Sequence, residues 1–200
     1  MAVSFSFDEG KALAVISRLA SAGLPEFTKG KACKLVFLAD HLHLVRYGRP
    51  ITGDWFAAMD HGPVPSHTLD LLNAVETGVP TDDASHRLIR ALKVDARFQF
   101  PRISASEAIN QSHLSRSDSM VLDEVIEKYG TMSFKQLRTL THEFEAYKAA
   151  WDRRSGLSSA MRFEEFFEGD EADAIAGVKE EVLENAALRE ALSGYGCRLS

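Results

Sequence analysis

Apolar side chains recur at the spacing of amphipathic helices along most of this chain. The first such stretch has apolar residues at 13, 16, 19 and 20, and similar stretches follow as far as residue 151. Most of them begin just after a residue that caps helices and end at a glycine. The capping residues are Asp8, Thr28, Ser66, Ser115 and Ser133, and the glycines are Gly23, Gly48, Gly78 and Gly130. The pattern therefore predicts a mainly α-helical protein.

The stretch from about 28 to 47 differs from the others because it is apolar on most of its circumference. Leu35, Leu38, Leu42 and Val45 form one stripe, while apolar residues at 32, 36, 37 and 39 cover other faces. A helix of this kind packs against neighbours all round. We expect it to be the central helix of a compact helical bundle.

Two regions depart from the helical pattern. Prolines and glycines interrupt 51–64, which leaves room for no more than one short helical turn near 54–59. Further on, apolar and basic residues alternate in 86–94 and 97–103, after a polar loop at 81–86. This alternation predicts a small β-hairpin at about 87–103, which must lie on the helices because two strands alone are marginally stable.

The length and composition fit one domain with an appendage. The chain has 200 residues, 45% of them hydrophobic, which suffices for a packed core. We expect a domain at 1–155 and an acidic helical segment at 156–200, with its helix near 171–192, packed on that domain or extending it. The longest wholly apolar run, 35–39, is far too short to span a membrane. The N-terminus has no basic lead and does not resemble a secretory signal. The two widely separated cysteines form no disulfide scaffold, which favours a cytoplasmic protein.

Acidic residues concentrate near the C-terminal end. The chain carries a formal net charge of −6, and 161–190 contains ten acidic and three basic residues, a local charge of −7. The rest of the chain is therefore close to neutral. The negative net charge argues against a protein that binds nucleic-acid phosphates in general. The acidic segment itself is either a solvated helix or a docking arm.

The residues that usually carry catalysis or bind metals do not form a known pattern here. His41 and His43 would lie about 200° apart on a helix, so they cannot chelate one ion together. His142 lacks the second histidine, four residues on, that a zinc protease helix requires. We expect surface or helix-capping histidines, a buried Cys33 with no disulfide to Cys197, and no metal, cofactor or enzymatic activity.

A constrained stretch at 46–65 is rich in residues that dominate binding hot spots. Arginine, tyrosine and tryptophan offer large rigid contact areas with a polar end, and prolines reduce the entropy lost on binding. The candidate partner-binding residues are Arg46, Tyr47, Arg49, Asp54, Trp55, His61, Pro63 and Pro65. The alternative is that Trp55 and Phe56 fill the core and Asp54 pairs with a nearby arginine.

A second interpretation rests on 121–141. Two short helical patterns flank a turn at 130–133, which is the arrangement of a helix-turn-helix unit. The second pattern leaves Lys135, Gln136, Arg138 and Thr139 for contacts with DNA, and the first is acidic. A DNA-binding transcriptional regulator is therefore the alternative function, and an antiparallel helix pair within the bundle is the alternative structure.

The order of several motifs resembles the Panacea domain of SocA-like antitoxins and of phage-associated GepA-like proteins. The motifs are KLVFLAD at 34–40, GRPITGD at 48–54 followed by two aromatics, GPVP at 62–65, YG at 129–130, and THE at 141–143. The similarity spans about 10–152. The residues that match the family motif include Lys34, Leu38, Asp40, Gly48, Pro50, Gly53, Gly62 and His142.

This resemblance implies a mostly helical antitoxin that binds and neutralises a toxin encoded by a neighbouring gene. One branch of the family delivers its toxin to the ClpXP protease as a proteolytic adaptor. Other members stand alone on phages and mobile elements, which connects the family with phage defence. The family motif defines no catalytic residues. It also does not specify the partner, so the contacts expected at 46–65 are inferred from residue type alone.

Overall fold

The computed structural model describes residues 3–106, 111–168 and 175–196 of the chain. Helices predominate, and the predicted compact, mainly helical fold with a small β-hairpin is confirmed. The helices are α1 (Glu9–Ser21), α2 (Lys29–Tyr47), α3 (Ser66–Thr77), α4 (Asp83–Ala91), α5 (Arg116–Tyr129), α6 (Phe134–His142), α7 (Glu145–Asp152) and α8 (Ala176–Gly196), with a 3₁₀ helix at Phe163–Phe167. The strands are β1 (Phe56–Met59), β2 (Gly62–Pro65), β3 (Leu92–Asp95), β4 (Arg102–Ala105) and β5 (Ser158–Ala160).

Helix α2 is the central helix, as its apolar circumference predicts. The Thr28 side chain caps it by accepting a hydrogen bond from the backbone N–H of Lys31, and Gly48 ends it in the left-handed conformation, with φ 70°. Helices α1, α3, α5, α6 and α8, strand β2 and the 3₁₀ helix all pack against it. Side chains such as Leu35 and Phe37 are fully buried. Because α2 is enclosed, the polar side chains that it projects connect several elements of the fold.

Residues 56–65 form a β-hairpin, which corrects the expectation of an irregular connection with one helical turn. Strand β1 pairs antiparallel with both β2 and β5, in the order β2-β1-β5. Pro63 and Pro65 lack the backbone N–H that an interior strand donates to its neighbours. They are tolerated because β2 is the edge strand of this sheet. The other edge strand, β5, follows α7 in the chain.

The predicted second hairpin is confirmed, but it begins later than expected because a helix precedes it. The Asp82 carboxylate accepts a hydrogen bond from the backbone N–H of Ser85 at 2.7 Å and caps α4. Ala84, Leu88 and Ala91 are then buried at helical spacing. Residues 83–91 are therefore helical, which corrects both the polar loop at 81–86 and the first strand. The hairpin consists of β3 and β4.

The segment that follows α7 shares the core of the rest of the chain. Phe163, Phe166 and Phe167 of the 3₁₀ helix are all buried. Val182 of α8 is also buried and lies near Gly48 at the end of α2. The predicted start of the last helix, 171–174, lies outside the described residues. In the described part of the chain, no helix is long and apolar enough to cross a membrane.

Candidate functional site

Asp40 of α2 holds the loop at 48–55 in place. Its Oδ1 accepts hydrogen bonds from the backbone N–H groups of Ile51 at 3.0 Å and Thr52 at 2.9 Å, and its Oδ2 accepts one from the Thr52 hydroxyl. Asp40 is 1% exposed. Burial outweighs these hydrogen bonds and raises the pKa of Asp40 to about 7. The KLVFLAD and GRPITGD motifs therefore meet inside the molecule.

Asp54 caps helix α3 from the preceding loop. Its carboxylate accepts hydrogen bonds from the backbone N–H groups of His67 at 3.0 Å and Thr68 at 2.8 Å. Pro65 occupies the capping position and makes no side-chain capping bond, so the predicted capping by Ser66 is wrong. A carboxylate satisfies the free donors of a helix N-terminus and interacts favourably with the helix dipole. Asp54 is fully buried and therefore supports the fold from within.

Lys34 joins α2 to strand β2. Its Nζ donates a hydrogen bond to the carbonyl oxygen of Pro63 at 2.7 Å. The side chain is buried, and this burial lowers the pKa of Lys34 to about 8. Gly62 has φ 94°, and a Cβ there would lie 3.0 Å from both Lys34 Nζ and Thr141 Oγ1. A glycine is therefore required where the β1–β2 turn passes between α2 and α6.

Asp118 of α5 is the common acceptor of a second buried cluster. Its carboxylate lies 3.0 Å from Lys11 Nζ, 3.0 Å from His43 Nε2 and 2.9 Å from Arg49 Nη2. It also accepts a hydrogen bond from the backbone N–H of Ser115 at 2.9 Å. Burial alone would raise the pKa of Asp118, but the hydrogen bonds from His43, Ser115 and Lys11 hold it well below its usual range. One carboxylate thus connects α1, α2, the 48–55 loop and α5.

Gly53 allows the N-terminal segment to pass close to the loop. It has φ 66°, and a Cβ at this position would lie 2.2 Å from the carbonyl oxygen of Ser6. Next to it, the backbone N–H of Asp8 donates a hydrogen bond to the carbonyl of Thr52 at 2.8 Å. Gly53 is therefore needed because the backbone of the N-terminal segment, which is not part of the motif, passes directly against it.

Some of the candidate partner-binding residues are on the surface and others are not. Trp55 is 48% exposed, so it does not fill the core, whereas Phe56 is buried. Asp54 pairs with the N-terminus of α3 and with His67, and not with an arginine. The partly or largely exposed candidates are Arg46, Tyr47, Arg49, Trp55 and His61, and the buried ones are Asp54, Pro63 and Pro65.

The exposed candidates contact different parts of the molecule. Arg46 forms a two-pronged ion pair with Glu124 of α5, at 2.5 and 2.9 Å. Arg49 forms an ion pair with Asp118, which also lies on α5. The His61 ring instead lies at the turn between β1 and β2, where its centroid is 6.2 Å from that of Phe134 in α6. The structure therefore places 46–49 beside α5 and the hairpin turn beside α6.

A cavity of about 420 Å³ lies between this turn and helices α6 and α7. The His142 ring stacks on Tyr147 with the centroids 4.4 Å apart, and burial lowers the pKa of His142. The Tyr147 hydroxyl donates a hydrogen bond to the carbonyl of Met59 at 3.0 Å. The residues that line the cavity are Asp60, Arg138, His142, Tyr147, Lys148, Trp151 and Asp152. His142 thus packs into the wall between α7 and the sheet.

His43 and Cys33 belong to the interior, whereas His41 is partly buried. The His41 ring packs edge-on against Phe144 with centroids 4.7 Å apart, and burial lowers the pKa of His41 to about 4. His43 is fully buried beside Asp118, so the expectation of surface or capping histidines is wrong for His43. Cys33 is buried as expected, and burial raises its pKa to about 12. Cys197 lies outside the described residues. Within them, no three metal-binding side chains cluster.

Helices α5 and α6 flank the turn at 130–133, so the predicted helix pair is present. Lys135, Gln136 and Thr139 are exposed on α6. Arg138, the fourth residue expected to contact DNA, donates a hydrogen bond from Nη2 to the carbonyl of Asp60 at 3.0 Å. It is therefore engaged within the molecule. The DNA-binding function of this pair stays a prediction.

The sequence pattern missed most of the buried polar contacts. Thr52 and His43 gave no signal, because their partners come from other segments of the chain. Asp118 did give a partial signal, since it stands three residues after Ser115, the spacing of a capping box, and the two residues form this box in the structure. A capping box identifies a helix start, but it does not show which distant cations will gather at its carboxylate.

Comparison with known protein families matches residues 33–148 to the family described as antitoxin SocA-like, Panacea domain. The matched region runs from α2 into α7 and contains Asp40, Asp54 and Asp118. Comparisons of the chain with curated proteins and with solved structures gave no match.

Proposed function

This chain belongs to the family of SocA-like antitoxins with a Panacea domain, and on that basis we propose that it neutralises a protein toxin in the cytoplasm by binding it directly. The toxin is the product of a neighbouring gene. The observation that carries the proposal is the family match over 33–148, which includes most of the central helix and the elements α3, α5, α6 and β2 packed on it. The proposed action is binding, without catalysis.

The positions of the motif residues support a binding protein. Lys34, Asp40 and Asp54 are buried and make their hydrogen bonds to other parts of the same chain. These residues therefore stabilise a scaffold. Recognition of the toxin then falls to exposed side chains, which can differ between proteins without disturbing the buried contacts.

Co-expression with each neighbouring gene tests the proposal. We expect one neighbour to stop growth when it is expressed alone and to be harmless when this chain is expressed with it. The two proteins should then co-purify in a fixed ratio. A copy of the chain with an early stop codon is the control for gene dosage. The proposal fails if no neighbour is toxic and pull-downs recover no stoichiometric partner.

Proteolytic delivery to ClpXP is the finer form of this proposal, with simple occlusion as its alternative. Delivery predicts a short toxin half-life that lengthens in cells without ClpX, whereas occlusion predicts the same half-life in both strains. Glu180, Glu181 and Glu184 of α8 are exposed, so their replacement by glutamine should leave the core intact. If this helix is the delivery arm, the triple variant binds the toxin but no longer shortens its half-life.

A further inference from the structure

The tip of the β3–β4 hairpin exposes two aromatic rings. Residues 96–100 are all exposed, and within them Phe98 is 40% and Phe100 68% exposed. Contact between exposed phenyl rings and water is unfavourable, so covering the rings with another apolar surface lowers the free energy. The contacts that give the chain its core do not include either ring.

Ion pairs and a cation–π contact order this tip. Arg97 donates hydrogen bonds from Nε and Nη2 to the two carboxylate oxygens of Asp95, at 2.8 and 2.6 Å. The Arg102 guanidinium lies 3.7 Å from the centroid of the Phe98 ring. Pro101 further restricts the backbone. A tip arranged in this way loses less conformational entropy when it binds a partner.

The hairpin and the helix before it are basic, although the chain is acidic. Residues 87–102 contain five basic residues and one acidic residue, a local charge of +4, against −6 for the whole chain. Within the described residues, neither Arg90 nor Lys93 takes part in an ion pair, and both are exposed. These two cations are thus available to an acidic surface.

We infer that the 97–102 tip, supported by Arg90 and Lys93, is a contact surface for an acidic face of the protein toxin, with Phe100 inserted into an apolar recess. This inference rests on the proposed function. A protein fits the surface better than a nucleic acid does, because exposed phenyl rings need apolar partners and the acidic remainder of the chain repels phosphates. An arginine-rich rim around an aromatic anchor is a common composition of protein interfaces.

Titration calorimetry with the purified product of the toxic neighbouring gene tests the inference. The double variant Phe98→Ala/Phe100→Ala should weaken binding about thirtyfold, as expected for loss of an aromatic hot spot. The double variant Arg90→Glu/Lys93→Glu should weaken it about tenfold, and this difference should shrink at high salt. Leu157→Ala removes another exposed apolar side chain, 90% exposed, and Lys135→Glu reverses another exposed cation. Both controls should bind like the wild type.

The outcomes separate the two proposals. If the wild type binds the toxin and both hairpin variants bind equally tightly while keeping the wild-type melting temperature, the inference is overturned and the proposed function stands. If the wild type binds no neighbouring product, both fail. Duplex DNA and phosphatidylglycerol vesicles serve as further probes. Binding of either probe that disappears with the Phe98→Ala/Phe100→Ala change, while toxin binding persists, would also overturn the inference.

Discussion

Replacing Asp118 by asparagine tests whether the buried cluster at α5 stabilises the fold. The change keeps the size of the side chain and one acceptor oxygen, but it removes the negative charge that faces Lys11, His43 and Arg49. His43 is fully buried, whereas the side chains of Lys11 and Arg49 are 19% and 38% exposed and can be partly rehydrated. The free energy of unfolding should therefore fall by about 3 kcal/mol, the lower end of the range for breaking a buried ion pair.

Asp123→Asn is the matched control, because Asp123 lies on the same helix and pairs with Arg18 at the surface, where its side chain is 60% exposed. An exposed pair of this kind contributes at most about 1 kcal/mol. Urea unfolding followed by circular dichroism measures both free energies. For a chain of this size, about 3 kcal/mol corresponds to a fall in melting temperature of about 6–12 °C.

The same pair of variants predicts a dependence on pH. The folded protein holds the pKa of Asp118 below its ordinary value of 3.8. The stability that comes from its charge is therefore complete above that value and disappears as the pH falls below it. The difference between wild type and Asp118→Asn should be constant from neutral pH down to about pH 5 and shrink in stronger acid. An Asp118→Asn protein as stable as Asp123→Asn at pH 7 would refute this reasoning.

Three further predictions follow from particular positions. Gly53→Ala should destabilise the protein by about 2 kcal/mol more than Gly23→Ala. Both glycines have positive φ, but only at Gly53 would the added Cβ collide with backbone atoms. Equal urea midpoints for the two variants would contradict this. In a Cys197→Ser background, Cys33 should react with a thiol reagent after unfolding and not in the native state, because it is buried and its pKa is raised to about 12; native-state labelling would contradict this. Deletion of 161–200 should abolish cooperative thermal unfolding, because it removes three buried phenylalanines; a normal melting curve would show that the core does not need them.

Local sequence signals predicted the helices well. Thr28 and Gly48 mark the two ends of the central helix both in the sequence and in the structure. A helix cap and a left-handed glycine depend only on residues close by in the chain, so the sequence reveals them. Helix α4 was missed although Asp82 and Ser85 form a capping box, since the basic residues that follow alternate with apolar ones like those of a strand.

Contacts between distant segments could not be predicted in the same way. The β1–β2 hairpin gains a third strand from β5, about one hundred residues later, and its edge position is what makes Pro63 and Pro65 acceptable. Asp54 caps a helix that begins twelve residues further along the chain. The sequence indicated the start of this helix near Ser66, but it did not show that Asp54 would cap it. The candidate partner-binding residues are therefore divided between the surface and the interior by contacts with distant segments.

Titration of the purified toxin with this chain tests the central claim, neutralisation by binding, most directly. The toxin is held at a concentration far above the dissociation constant, and its activity is measured after each addition of the chain. Binding predicts that the activity falls linearly to zero at a fixed molar ratio and does not change further with time. Loss of activity that proceeds with time at far less than one equivalent would contradict the claim, since it would require catalytic turnover. So would full activity at excess chain.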